Sequence, residues 1–181
     1  METCRHMLIK EVTDIGELRL VLHEAANDNH RNADNYQFEK MEKRWNRYLK
    51  FHLLEDNDIP VAFGGIIKFE NNLVRICDRY CTLRSYRRFG INKFINKNIR
   101  YCVEYFVSTQ TEWAVENMYQ PFISMSAEVD KTNSIKRFMQ YFDPKYKYQL
   151  LPDLYLTCDR SNPKCHQHII TNKDTIGLPK V

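Results

Sequence analysis

The stretch that most restricts this fold is residues 73–106, LVRICDRYCTLRSYRRFGINKFINKNIRYCVEYF. Its first part, 73–83, is rich in β-branched, aromatic and cysteine residues and predicts a buried strand. Its last part places Ile91, Phe94, Ile95, Ile99, Cys102, Val103 and Phe106 on one face of an amphipathic helix. Between them lies Arg87, Arg88, Phe89, Gly90, Ile91 and Asn92, a basic turn containing one glycine. A strand that passes through such a turn into a helix aims several free backbone N–H groups at one point. Together with the helix dipole and two arginines, they suit a phosphate or pyrophosphate.

Around this segment the periodicity predicts a first strand over 6–13 and a helix capped by Asp14, with Ile15, Leu18, Val21, Leu22 and Ala25 inward. A polar loop over 27–35 leads to a second helix carrying Phe38, Met41, Trp45, Tyr48 and Leu49. Its outer face, including Arg44, is expected to be solvated. Strands over 51–54, 61–69 and 73–83 form an antiparallel meander. Gly64 and Gly65 within it predict a bulge or a close approach.

After the long helix come a short helical insert around Trp113, a strand over 122–129, a turn and cap at 130–133, and a helix with Ile135, Phe138, Met139 and Phe142 inward. Two late strands are expected over 146–151 and 153–157, and a loosely held polar tail from Asp159. The expected domain is residues 1–158, with 159–181 as the tail. The fold class is α/β, with a mixed sheet in the order β-α-α-β-β-β-α-β-α-β-β.

The 181 residues suffice for one domain, and 43% hydrophobic content excludes a disordered chain. No run approaches a membrane span, and the first residues lack a signal-peptide layout, so the expectation is a cytoplasmic protein. Six cysteines read as reduced, mostly buried thiols. Cys81 has no His nearby in sequence and reads as packing, not as a nucleophile. Cys158, Cys165, His166 and His168 do not follow a standard zinc spacing, so no metal is expected.

This element order, with Arg87, Gly90 and Asn92 in an Arg-x-x-Gly-x-small loop after the fourth strand, resembles the GCN5-related N-acetyltransferase (GNAT) superfamily over residues 6–158. Asn92 stands where the family pattern has Gly or Ala. The resemblance implies an acyl-CoA co-substrate, acetyl-CoA above all, and a primary amine acceptor attacking the thioester directly. It implies that Arg87, Arg88, Phe89, Gly90, Ile91, Asn92 and Lys93 hold the pyrophosphate. Tyr80, Cys81 and Thr82 would hold the pantetheine and polarise the carbonyl. Ser124, Ser126 and Ala127 on the splayed fifth strand would form the opposite wall, and Asn133 beyond it would also contact the cofactor. By position, Asp78 or Glu128 would accept a proton. Tyr141 would donate one if its helix is rotated from the register set by the apolar face, which otherwise puts Met139 in that place.

Two alternatives remain open in the sequence. One is a GNAT-fold module that binds a partner without catalysis. The other is action on nucleic acid through the interleaved Arg79, Tyr80, Arg84, Tyr86, Arg87 and Arg88, a reading not favoured over the cofactor one.

Overall fold

A computed structural model describes residues 6–28, 33–87, 93–128, 132–157 and 165–171. Seven strands form one mixed sheet: β1 (Met7–Glu11), β2 (Tyr48–Asp56), β3 (Ile59–Lys68), β4 (Leu73–Thr82), β5 (Gln120–Glu128), β6 (Gln149–Thr157) and β7 (Cys165–Thr171). They lie in the order β1-β2-β3-β4-β5-β7-β6. The helices are α1 (Arg19–Ala26), α2 (Phe38–Glu42), α3 (Arg84–Arg87), α4 (Lys93–Glu116) and α5 (Thr132–Met139). The mixed α/β architecture expected from the sequence is the one observed.

One face of the sheet is covered by α1 and α2. Leu18, Val21, Leu22 and Met41 there pack on Phe51, Leu53 and Phe63. Asp14 starts this layer with a capping box, its side chain accepting from Gly16 N at 2.8 Å while its amide donates to Glu17 Oε1 at 3.4 Å. The other face is covered by α4 and α5, with Val103, Val107, Ala114 and Ile135 against Ile66, Val74, Ile76 and Ile123.

Four expectations are corrected. The second helix ends at Glu42, and Tyr48, expected on its inward face, opens β2. Trp45, Tyr48 and Phe51 imitate helical spacing because they pack on one another, with ring centroids 4.9–5.9 Å apart. The insert around Trp113 is no insert: α4 runs unbroken for 24 residues. Its inward stripe passes through Gln110 and Thr111, buried polar residues that hide the period.

The two late strands are one, β6, with a register shift between Leu151 and Tyr155, next to Pro152, which has no N–H to donate. Finally, the expected tail supplies β7, which pairs with both β5 and β6 and lies inside the sheet. Its Ile169 and Ile170 are buried; the polar residues before Cys165 conceal that strand in the sequence.

Candidate active site at the cleft between the fourth and fifth strands

The crossover through α4 makes β4 and β5 parallel neighbours, but only over Leu73↔Gln120, Val74↔Pro121 and Arg75↔Phe122. Beyond that point β4 continues to Thr82 and β5 to Glu128 with no ladder between them. Two strands that start paired and then part leave a wedge, with unpaired amides and carbonyls along its walls. The amide of Leu83 donates to Val61 O, on the β3 side. Alternation therefore turns the amides and carbonyls of Thr82 and Tyr80 towards the wedge. Tyr36 confirms the direction, since its hydroxyl donates to Tyr80 O at 3.1 Å.

The shape of β4 comes from two bulges. Ile67 faces Arg75, Gly65 faces Asp78, and Phe63 faces Cys81. Each step of two residues on β3 thus spans three on β4. The extra residues come with backbone in the left-handed region at Cys77 (φ 55°) and Arg79 (φ 52°). Such conformations cost about 1–3 kcal/mol each and persist only where the surroundings enforce them.

One enforcing group is Gln110 of α4. It accepts from Cys77 N at 2.7 Å, donates to Gly64 O at 3.2 Å, and lies 3.1 Å from His52 Nδ1. A second is Gly65, which faces Asp78 across the ladder and is the close approach expected as one of two readings of the glycine pair. A Cβ there would lie 2.4 Å from Tyr48 Cδ1. Its absence lets the Tyr48 ring lie on the sheet and deliver its hydroxyl to Asp78 at 2.9 Å.

Asp78 is buried on the face under α1 and α2, with every oxygen engaged. Arg75 donates to Oδ1; Arg44 (3.3 Å) and Tyr48 share Oδ2. Arg44, expected on a solvated face, is therefore an ion-pair partner. Burial and the neighbouring carboxylate both raise the Tyr48 hydroxyl's pKa. Cys81 packs on the same side, and burial pushes its thiol up to about 12, so it is uncharged at neutral pH. Tyr80 lies on the opposite face, between Phe106 and Phe138, its hydroxyl 2.7 Å from Thr82 Oγ1. The chain thus brings Asp78, Tyr80, Cys81 and Thr82 to one strand segment, but on two faces.

Of the other expected residues, Arg88, Phe89, Gly90, Ile91 and Asn92 lie outside the described residues. Lys93 is the first residue of α4, Asn133 is in α5, and Glu128 ends β5. Arg87 pairs with Asp28 at the end of α1. Tyr141 lies past the end of α5, its amide bonded to Phe138 O; Phe138 is the α5 side chain that meets Tyr80.

Among the described residues, the aromatic and basic run weighed for nucleic acid does not form one surface. Tyr80 is turned inward, Tyr86 donates to Asp56 at 2.7 Å, and Arg87 is paired. Sequence reasoning missed Tyr36, Arg44 and Arg75. No local signal marks them, because their association depends on the bulges.

No family model matches the sequence, and no curated protein is similar enough in sequence to match. Solved structures are similar in fold. Ribosomal-protein-S18-alanine N-acetyltransferase from Escherichia coli superposes with a TM-score of 0.60 at 8% identity, over 97% of this chain and 99% of that one. A GNAT-family acetyltransferase from Streptococcus pneumoniae gives 0.58 at 11% identity, over 92% and 98%. A spermidine N-acetyltransferase chimera from Vibrio cholerae and hSSAT gives 0.56 at 10% identity, over 92% and 95%. Superposing over nearly its whole length on these structures, this chain has the fold of the GNAT acetyltransferases.

Proposed function

We propose that the protein is an N-acyltransferase moving an acetyl group from acetyl-CoA to a primary amine. The observation that carries this reading is the wedge between β4 and β5, whose β4 wall turns the backbone of Tyr80 and Thr82 towards the opening. An extended thioester arm would add to the unpaired edge of β4 there as a strand adds to an edge. The loop from Arg88 to Asn92 and the first turn of α4 would hold the pyrophosphate. Similar folds in proteins named for spermidine and for a ribosomal-protein alanine show the fold beside quite different amines, so the acceptor must be argued from the site itself.

In the reaction the neutral amine nitrogen attacks the thioester carbonyl carbon. The C–N bond forms, the C–S bond breaks, and CoA leaves as a thiolate that takes up a proton. A backbone N–H of β4 at the wedge would stabilise the oxyanion. The ammonium proton must be lost first. Asp78 is a poor acceptor because three donors already hold it. Glu128, on the opposing strand, is the better base by position. Tyr36, whose hydroxyl donates to Tyr80 O and is kept protonated by burial, is the better-placed proton donor for the thiolate than Tyr141, which lies past the end of α5.

Calorimetric titration with CoA and acetyl-CoA, followed by thiol release with a panel of amines, tests the proposal. Saturable binding with turnover is expected. Binding without turnover on any amine would favour a non-catalytic module instead. Absence of binding to either compound would end the reading.

A further inference from the structure

On the face of β4 under α1 and α2, three guanidinium groups surround one carboxylate. Arg75 and Arg44 both bond Asp78, and Tyr48 adds a third donor. Arg79 follows on the bulge. Its closest electrostatic neighbours are Arg44, Asp78, Tyr48 and Tyr36, yet it makes no hydrogen bond or ion pair with any described residue. Asp78 is held instead by Arg75, Arg44 and Tyr48. The Nε atoms of Arg44, Arg75 and Arg79 are all buried without a partner. The formal charge is three positive against one negative, a surplus of two in a partly buried site. Burial first, and then the Arg44 charge, depress the Arg79 pKa, against the opposing pull of Asp78.

Surplus buried charge is costly unless an opposite charge joins it. A guanidinium fork matches carboxylate and phosphate oxygens two at a time. The backbone supports the same reading, because the left-handed turn at Arg79 inserts an extra residue opposite Gly64 and directs this cation to the crowded face. Arg79 immediately precedes Tyr80, whose carbonyl lines the wedge, so an anion held here lies beside the reacting centre. The cofactor's own phosphates are assigned elsewhere, at the start of α4.

We propose that Arg79, with Arg44 and Arg75, forms the subsite for an anionic group, a carboxylate or phosphate, carried by the acceptor amine. This assignment rests on the acyl-transfer reading for the word acceptor, while the anion site stands on the cluster alone.

Inorganic phosphate and acetate are titrated calorimetrically into wild type, Arg79→Gln and Arg79→Lys, each checked first for folding by circular dichroism. A helix N-terminus also attracts phosphate, so the difference between variants is the readout. Arg79→Gln is expected to bind about tenfold more weakly or worse, the value of one charge-assisted hydrogen bond, with Arg79→Lys in between and CoA affinity unchanged. Matched amines extend the test: phosphoethanolamine should release thiol faster than ethanolamine, and β-alanine faster than propylamine, with the preference lost in Arg79→Gln. Equal phosphate affinity in wild type and Arg79→Gln would overturn the subsite, whatever CoA does. Arg79-dependent phosphate binding without any CoA binding would overturn the transferase reading and leave the anion site standing.

Discussion

Replacing Gln110 by leucine should destabilise the protein more than any neighbouring change on α4. Gln110 is fully buried, and its amide serves Cys77 N–H, Gly64 C=O and the His52 ring. Leucine has nearly the same bulk but leaves one donor and two acceptors without partners. Each buried unmade group costs about 1–3 kcal/mol. The groups are adjacent, so their costs do not simply add, and the leucine regains about 1–2 kcal/mol by burial. The expected loss is about 3–5 kcal/mol, a large part of the roughly 5–15 kcal/mol that holds a domain folded. With a slope of about 2 kcal/mol per molar urea, the midpoint falls by about 1.5–2.5 M.

Thr111→Val is the control on the same helix. Thr111 is also buried but makes one side-chain bond, 2.8 Å to the Tyr148 hydroxyl, and its loss should cost about 1 kcal/mol. Urea denaturation of the two variants at equal slope decides the matter. A Gln110→Leu midpoint no lower than that of Thr111→Val would show that the bulge in β4 does not depend on this side chain. Loss of CoA affinity in the same variant would tie the bulge to the wedge.

Gly65→Ala puts a Cβ 2.4 Å from Tyr48 Cδ1 and 2.7 Å from Phe51 Cδ2, and should cost about 1–3 kcal/mol by overpacking; an unchanged thermal midpoint would refute it. Burial pushes the pKa of His52 down from 6.5 to about 4, so its neutral form is favoured in the folded state. The stability this represents is whole above pH 6.5, declines as the pH falls, and is gone below about 4, a loss of about 3 kcal/mol. Urea midpoints of wild type and His52→Gln across that range should therefore converge at low pH, and parallel curves would contradict the assignment. Cys81→Ala should retain acyl transfer without a burst, since a thiol pushed up to about 12 supplies almost no thiolate at neutral pH. Abolished turnover in a folded Cys81→Ala would point instead to an acyl-cysteine intermediate.

Local pattern determined most of the architecture. The meander, the crossover through α4 and the apolar faces of α1 and α5 follow from residue periodicity, because each element buries one face against one sheet. The glycine pair marked a close approach, which the Tyr48 and Phe51 rings make at Gly65. Periodicity failed where polar residues occupy buried stripes, as Gln110 and Thr111 do in α4, and where aromatic contacts mimic a helix, as at Trp45 and Tyr48. It failed again at β7, a strand that needs β5 and β6 on either side to be worth forming.

The site divides in the same way. The wedge is an expectation of the family resemblance, which the element order and the basic turn after the fourth strand carry; periodicity alone does not give it. The cation cluster follows from neither. Strict alternation puts Arg75 and Asp78 on opposite faces of a strand, and the first of the two residues added in β4 brings them together with Arg44 and Tyr48. Those bulges are set by Gly65 across the ladder and Gln110 from another layer, so the charge distribution at the site is a property of the assembled sheet, not of any one stretch of sequence.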